Sequence, residues 1–303
     1  MKRTVLTFSA LCFLLMTCAA AFAQTALPPP PPILMITRED IKPGKMDAHA
    51  EEALANVRVM AKTNSMIAKP ELRNYRIGMT PFAGNQNEVT YITAYGSFAN
   101  MEERDKEVEK YATGALKADY AALPDKELHA AQANVLAVYR PELSYGVGNV
   151  DIAQSRYLVM TTLRLKPGHE EEYWDAVKKY ANPARDKTPL KTAASYAVYQ
   201  AIGGIPGPTY IIFRPLKSLA DLDTASARLV RPAMTDEGRK ETDAIADRAV
   251  VASTTIYYFF NPRISLVSPE FAARDHAAPA FWITSPAPAT TTTASNGGPQ
   301  PPQ

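Results

Sequence analysis

A chain of 303 residues that is 46% hydrophobic, 21% charged and 9% aromatic has the composition of a globular protein with core for about two ordinary units. That excludes a disordered or collagen-like chain. Lys and Arg number 33 against 31 Asp and Glu. Lys2 and Arg3 lie in a segment expected to be removed, which leaves the charges balanced, so no nucleic acid or other strongly charged partner is implied.

The chain opens with Lys2-Arg3, an apolar run from Val5 to Cys18, and Ala19-Ala20-Ala21-Phe22-Ala23. Charged, apolar and small-residue regions in that order form a secretory signal peptide, with cleavage expected after Ala23. The protein is therefore expected to be exported, to the periplasm or beyond, with no integral membrane span after processing. Retention of the run as an anchor is the first alternative, opposed by its shortness and by Pro28 to Pro32 soon after it. Lipid attachment at Cys18 is the second, opposed by the bulk of Thr17. Both cysteines, Cys12 and Cys18, fall inside the signal, so the processed chain is expected to have neither disulfide nor thiolate chemistry. Histidines 49, 129, 169 and 276 show no paired spacing of the kind a metal-binding helix needs. No metal site and no cofactor is expected.

Residues 24–32 read as an extended Pro-rich linker, and the stretch from Ser285 to the end is too poor in apolar residues to order itself. Between them the chain repeats. Ile33-Leu34-Met35-Ile36-Thr37 leads to Ile41-Lys42-Pro43-Gly44-Lys45, and 124 residues further on Tyr157-Leu158-Val159-Met160-Thr161 leads to Leu165-Lys166-Pro167-Gly168-His169. Thr90-Tyr91-Ile92 answers to Thr209-Tyr210-Ile211, and Arg140-Pro141-Glu142-Leu143-Ser144 to Asn261-Pro262-Arg263-Ile264-Ser265. Four matched landmarks in order define a first unit over 33–146, a linker over 147–156, a second unit over 157–268, and an extension with a tail over 269–303.

Each unit reads as strand, helix, strand, strand, helix, strand. After the Pro-Gly turn the first helix is expected to bury Met46, Ala50, Ala53, Leu54, Val57 and Ala61, and its counterpart Tyr173, Trp174, Val177 and Ala181, at spacings of three and four. Hairpins are expected from Arg73–Met79 with Glu88–Tyr95, and from Ala194–Ala201 with Thr209–Arg214. The second helices are expected to begin near Asn100 and Ser218 and to be broken at Pro124 and Pro232. The last strands are expected over Asn134–Arg140 and Thr254–Phe260.

This order is that of a ferredoxin-like unit, whose helices cover one face of a four-stranded antiparallel sheet and leave the other face in need of a partner. The apolar strand, Lys-Pro-Gly turn and acidic amphipathic helix that open each unit resemble the dimeric α/β-barrel superfamily, which includes antibiotic-biosynthesis-type monooxygenases, haem-degrading relatives and NIPSNAP-like proteins. The resemblance covers 33–146 and 157–268. It implies an α+β fold of two tandem units packed sheet to sheet, an intrachain pseudo-dimer able to associate further into a homo-oligomer. The haem-degrading branch carries a helix His, an Asn and a Trp in its pocket. Neither Trp174 nor Trp282 matches such a position, and no catalytic residue is carried over.

Alternation places Tyr75 with Ile77, Tyr91 with Thr93 and Tyr95, Tyr196 with Val198, and Tyr210 with Ile212 and Arg214 on common strand faces. If those faces look into the barrel, Tyr75, Tyr91, Tyr95, Tyr196, Tyr210 and Arg214 line a ligand cavity; otherwise the tyrosines simply pack a half-buried sheet. His129, on an expected helical piece before the last strand of unit one, and His169, at a helix start, are the candidate bases. Against them stand ordinary surface and first-turn positions. There is no dinucleotide fingerprint, phosphate loop, serine-hydrolase elbow or calcium loop. The expected function is to bind a small apolar or aromatic molecule between two sheets. The alternatives are a cofactor-independent monooxygenase-like or proton-transfer enzyme using the same cavity, and a structural module with a filled barrel.

Overall fold

The computed structural model describes residues 27–124, 127–188, 195–224 and 227–284; the expected signal segment and the tail from Ser285 lie outside these residues. Eight strands run in chain order: β1 (Ile33–Ile41), β2 (Arg76–Ala83), β3 (Glu88–Tyr95), β4 (His129–Tyr139), β5 (Tyr157–Leu165), β6 (Ala197–Gly203), β7 (Thr209–Leu216) and β8 (Val250–Phe260). They close into one antiparallel barrel in the order β1-β3-β2-β8-β5-β7-β6-β4. The first four strands thus lie side by side as 4-1-3-2 and the second four as 8-5-7-6. Two seams join them. At one, β2 pairs with β8 (Met79 opposite Phe260); at the other, β4 pairs with β6 (Tyr139 opposite Tyr199).

Around the first four strands lie α1 (Met46–Met66), α2 (Phe98–Thr113) and the short α3 (Lys117–Ala121). The second four are accompanied by α4 (Glu170–Ala176), which runs through a π turn at Val177–Ala181 into α5 (Asn182–Asp186), then by α6 (Ala220–Thr224), α7 (Ala227–Ala233) and α8 (Asp236–Ala249); α9 (Pro269–Ala273) follows the barrel. Among the described residues no helix is long and apolar enough to cross a membrane. Local chemistry explains the helix ends. Gly44 takes a positive φ of 74° to turn the chain from β1 into α1. The Ser97 hydroxyl accepts from the Asn100 N–H at 3.0 Å and caps α2, and the Thr235 hydroxyl accepts from the Gly238 N–H at 3.1 Å and caps α8. Asn100, expected as the cap, sits in the first turn and donates to the Glu71 carbonyl instead.

Several strand ends differ from the sequence pattern. β2 starts later than Arg73, because the one-turn helix Pro70–Leu72 precedes it, and runs on through Pro81 to reach β8. Pro81 is tolerated because the ladder shifts register there. β4 begins at His129 rather than Asn134. The Ala-rich start of this strand has low intrinsic strand preference, and pairing along the whole of β1 overrides it. β6 begins at Ala197 and extends to Gly203, with residues 189–194 before it outside the described set.

The two faces of the strands have different partners. Leu34, Ile36, Met79 and Ala137 from the first four strands meet Leu158, Met160, Tyr199, Ile211, Phe213, Tyr258 and Phe260 from the second four in a single central core, so these side chains point into the barrel. The alternate residues point outward to the helices: Ile41, Val89 and Tyr91 pack on Ala53 of α1, and Leu163, Leu165, Tyr196, Val198 and Tyr210 pack on Trp174 of α4. On α1 the buried stripe is His49, Ala53 and Val57, with Ala50 exposed. Of the expected stripe, Ala53 and Val57 are buried and Met46, Leu54 and Ala61 half-buried, and only Ala50 is displaced, by His49.

The chain after β8 folds back on the barrel. Trp282 is buried against Phe260, Phe271 and Phe281 and donates its indole N–H to the Ala153 carbonyl at 2.9 Å. At one end of the interior, Glu88 is 1% exposed. It accepts from the Tyr258 hydroxyl at 2.7 Å and from the Thr90 hydroxyl at 3.2 Å, and pairs with Arg38 at 2.7 Å. Burial and the neighbouring carboxylate both push the Tyr258 hydroxyl upward, so it remains a donor.

Met79 has no exposed surface and belongs to the core that both sets of strands share. Met79→Ala is expected to cost about 2–5 kcal/mol in urea unfolding. A loss well under about 1 kcal/mol would mean that the interior is not tightly packed at this layer.

Candidate functional site

Where β1, β2, β5 and β6 begin and β3, β7 and β8 end, the interior is not filled. A cavity of about 410 Å³ opens there, lined by inward-facing Leu34, Ile92, Tyr199, Phe213 and Phe260 and by Ala94. Both sets of strands contribute to its wall. Ala94 counts as exposed although it points inward, because the cavity opens beside it. The Pro-rich stretch lies along the rim, with Pro28 to Pro31 lining the cavity. The Tyr199 hydroxyl donates to the Pro31 carbonyl at 3.0 Å, and the Tyr139 N–H to the Pro32 carbonyl at 2.9 Å. This stretch is therefore docked over residues 27–32 and does not stand off as a spacer. Polar residues in the wall include Tyr75, Asp151, Ser195, Ser268 and Arg274, with Arg274 and Asp151 paired at 3.5 Å; Arg76 also borders the cavity but its guanidinium lies over the outward Tyr91 ring. Burial pushes the Tyr199 hydroxyl far above its ordinary pKa, so it is a permanent donor.

A second cavity of about 880 Å³ lies on the other face of the second set of strands, beneath its helices, and includes Thr161, Trp174, Arg185, Tyr196, Arg214 and Tyr257 in its wall. Arg185 stacks over the Tyr196 ring at 5.0 Å. The Tyr196 hydroxyl donates to Asn182 Oδ1 at 3.2 Å, and the Tyr145 hydroxyl to Asp186 at 2.6 Å. Burial and that acceptor push Tyr145 up to about 12. Burial lowers the pKa of Arg214.

These positions separate the six expected ligand residues. Tyr75 and Tyr196 border the barrel-mouth cavity; Tyr196 and Arg214 border the second; Tyr91, Tyr95 and Tyr210 line neither. The register places Tyr91 opposite Thr37 and Tyr210 opposite Leu163, on the helix-covered side. Their rings are packed: Arg76 lies over Tyr91 at 4.3 Å, Arg104 over Tyr95 at 4.2 Å, and Trp174 meets Tyr210 edge-on at 5.2 Å. Of the four expected faces, the one carrying Tyr75 and Ile77 looks into the barrel, while those carrying Tyr91, Tyr196 and Tyr210 look away from it, and on their strands the inward positions are the ones between, such as Ile92, Tyr199 and Phe213.

Of the two candidate bases, His169 is at a helix start as expected and His129 is on a different element. His169 stands immediately before α4 and pairs through Nδ1 with Glu172. Glu172 is also held by Arg248, and hydrogen bonds from Arg248 and His169 bring its pKa down to about 2. Glu172 and Arg248 border an open surface depression with Lys179 and Glu241, and His169 is not part of its wall. His129 is not on a helix; it is the first residue of β4, opposite Ile41. There it meets two residues that sequence reasoning passed over. His49 Nε2 lies 2.9 Å from Glu39 Oε2, and His129 Nε2 lies 3.4 Å from the same oxygen. The imidazoles stand edge to face, centroids 5.6 Å apart. Burial would raise the Glu39 carboxyl, but the His49 hydrogen bond and the charges of His129, His49 and Arg76 outweigh it and hold the pKa below the ordinary value. The missed signal was the spacing of four in His49, Ala53 and Val57, together with the odd-numbered alternation that puts Glu39 on the side of Ile41.

No family model matches the chain, and no curated protein matches it significantly. Solved structures with a similar course of chain include an anthrone oxidase-like protein (13% identity, TM-score 0.46, covering 76% of this chain and 91% of that one). A Lactobacillus acidophilus protein provisionally described as a monooxygenase is similar at 13% identity and TM-score 0.45, covering 75% and 93%. Chlorite dismutase from Candidatus Nitrospira defluvii gives 9% identity and TM-score 0.46, covering 80% and 96%. At these scores the three add nothing to what the strand order shows directly.

The packing role of Tyr95 is open to test. Arg104, 6% exposed, covers its ring and donates to the Ala94 carbonyl at 2.9 Å. Arg104→Ala is expected to cost about 1–3 kcal/mol in denaturant unfolding. An unchanged midpoint would show that this contact does not hold the ring in place.

Proposed function

We propose that the chain is a duplicated ferredoxin-like barrel, exported by its first 23 residues, that binds one small apolar or aromatic molecule in the mouth of the barrel. The duplication is supported by the equal strand orders 4-1-3-2 and 8-5-7-6, and the export by the charged, apolar and small-residue order of residues 1–23. The observation that carries the binding role is the cavity of about 410 Å³, within the size range of small-molecule sites and walled by aliphatic and aromatic side chains with a few polar groups at its edge. Ligand contact would come from Tyr199, Phe213 and Phe260, with Arg274 placed to meet a polar substituent at the opening.

Binding is favoured over proton-transfer chemistry because, among the described residues, no histidine lines this cavity and its carboxylate, Asp151, is paired with Arg274. A general base there would need a side chain able to take a proton within reach of the occupant.

The test is titration of the purified chain with an anilinonaphthalene sulfonate dye, alongside native mass spectrometry for a co-purified molecule. Saturable one-to-one binding is expected, weakened about tenfold or more by Ala94→Trp, which fills the mouth, and unchanged by Tyr91→Phe. No saturable binding by the folded chain, or equal binding by Ala94→Trp, would overturn the assignment.

A further inference from the structure

Glu39, His49 and His129 come from β1, α1 and β4, and their ligand atoms all lie within 4.8 Å of one another. Three features of the fold force them together. Glu39 is two residues before Ile41 and so shares its outward face. His49 is in the first turn of α1, on the stripe that packs against that face. His129 is delivered by the register shift in the β1–β4 ladder between Asp40 and Ile41, which sets it opposite Ile41.

We infer that this triad is a binding site for one divalent first-row transition-metal ion, with Glu39 Oε2, His49 Nε2 and His129 Nε2 as its ligands. Both imidazoles direct Nε2 at the same carboxylate oxygen, at 2.9 and 3.4 Å. Donor atoms around an ion with bonds of about 2.0–2.2 Å stand roughly 3.3 Å apart on a tetrahedron. Hydrogen bonding alone leaves the cluster incomplete: His129 Nε2 is sealed from solvent and has no hydrogen-bond partner, and an ion among the three atoms would supply one. Two imidazole nitrogens and a carboxylate select zinc, iron(II), cobalt(II) or similar ions over calcium and magnesium, which take oxygen sets.

The surroundings supply charge and access. Glu52, one turn beyond His49 on α1, has a buried carboxylate oxygen without a hydrogen-bond partner. The His129 side chain is 30% exposed while His49 is 4% exposed, so an ion would reach the triad past His129. Three protein ligands leave one or more coordination positions for water or another small molecule, as in sites that do chemistry rather than closed structural ones. The triad is separate from the barrel mouth: it lies on the outward face near the end of β1, whereas the cavity is reached from the inward face near its start, about 17 Å away along the strand.

The experiment is titration of the full chain, stripped with chelator, with cobalt(II) and then zinc(II). Cobalt(II) is expected to bind at one equivalent with visible ligand-field bands of low coordination number, and zinc(II) to displace it and raise the melting temperature. Glu39→Gln, His49→Gln and His129→Gln are each expected to weaken binding by at least about tenfold, while His169→Ala and His276→Ala leave it unchanged. Circular dichroism identifies a variant that fails to fold; His129, at the edge of the site, is the position whose substitution the fold tolerates best, so His129→Gln decides the matter if His49→Gln does not fold. The inference is overturned if the folded wild-type chain binds neither ion at micromolar concentration, or if His129→Gln binds cobalt(II) with the wild-type spectrum and affinity. Dye binding at the barrel mouth is a separate readout, so either site can fail without the other.

Discussion

Backbone hydrogen bonding along two seams holds this molecule in its shape. A four-stranded antiparallel sheet has two open edges and, once helices cover one face, a second apolar face that water would otherwise wet. Here β2 with β8 and β4 with β6 close both edges, and the same closure brings the two bare faces into one core around Met79, Ala137 and Tyr258. Each set of strands satisfies the other. The position of every outward residue follows, because a one-residue slip at either seam would exchange the core face for the helix face along a whole strand.

Much of this architecture was legible in the residues. The two Lys-Pro-Gly segments fall between a strand and a helix as the pattern suggested, with Gly44 and Gly168 at positive φ, and β3 begins and ends where alternation put it. The strand faces were the harder question. Alternation divides Tyr91 from Ile92 but does not say which of them meets the opposing sheet, since tyrosine and isoleucine suit a half-buried pleat equally well. Tertiary pairing decided it: Ile92 and Phe213 face inward, while Tyr91 and Tyr210 face Ala53 and Trp174. The ends of β2 and β4 were displaced for the same reason, because Pro81 and the Ala-rich start of β4 read locally as breaks, and their partners hold them in the ladder.

The Glu39, His49 and His129 triad was illegible for a different reason. Its members are 10 and 80 residues apart in the chain, with no motif spacing, and they meet only once β1, α1 and β4 are laid together. A histidine on an apolar helix stripe also reads as a defect in the pattern, and Ala50, its apolar neighbour, fits the periodicity as well by sequence though it is exposed. The polar residue that breaks a periodicity is the one to examine, since burying an imidazole is favourable only where another group answers it.

The barrel's two ends are unlike. Behind the cavity the interior is packed by Met79 and Tyr258, and at the remote end Glu88 and Arg38 form an ion pair; in front, the Pro28–Pro31 strap crosses the opening and is tied down by Tyr199. The chamber therefore has a packed floor at Met79 and Tyr258 and a proline strap over its opening. The strap is held by two tyrosines that face each other across the β4–β6 seam, the Tyr139 N–H on Pro32 and the Tyr199 hydroxyl on Pro31, so closing the barrel also fixes what lies over its mouth.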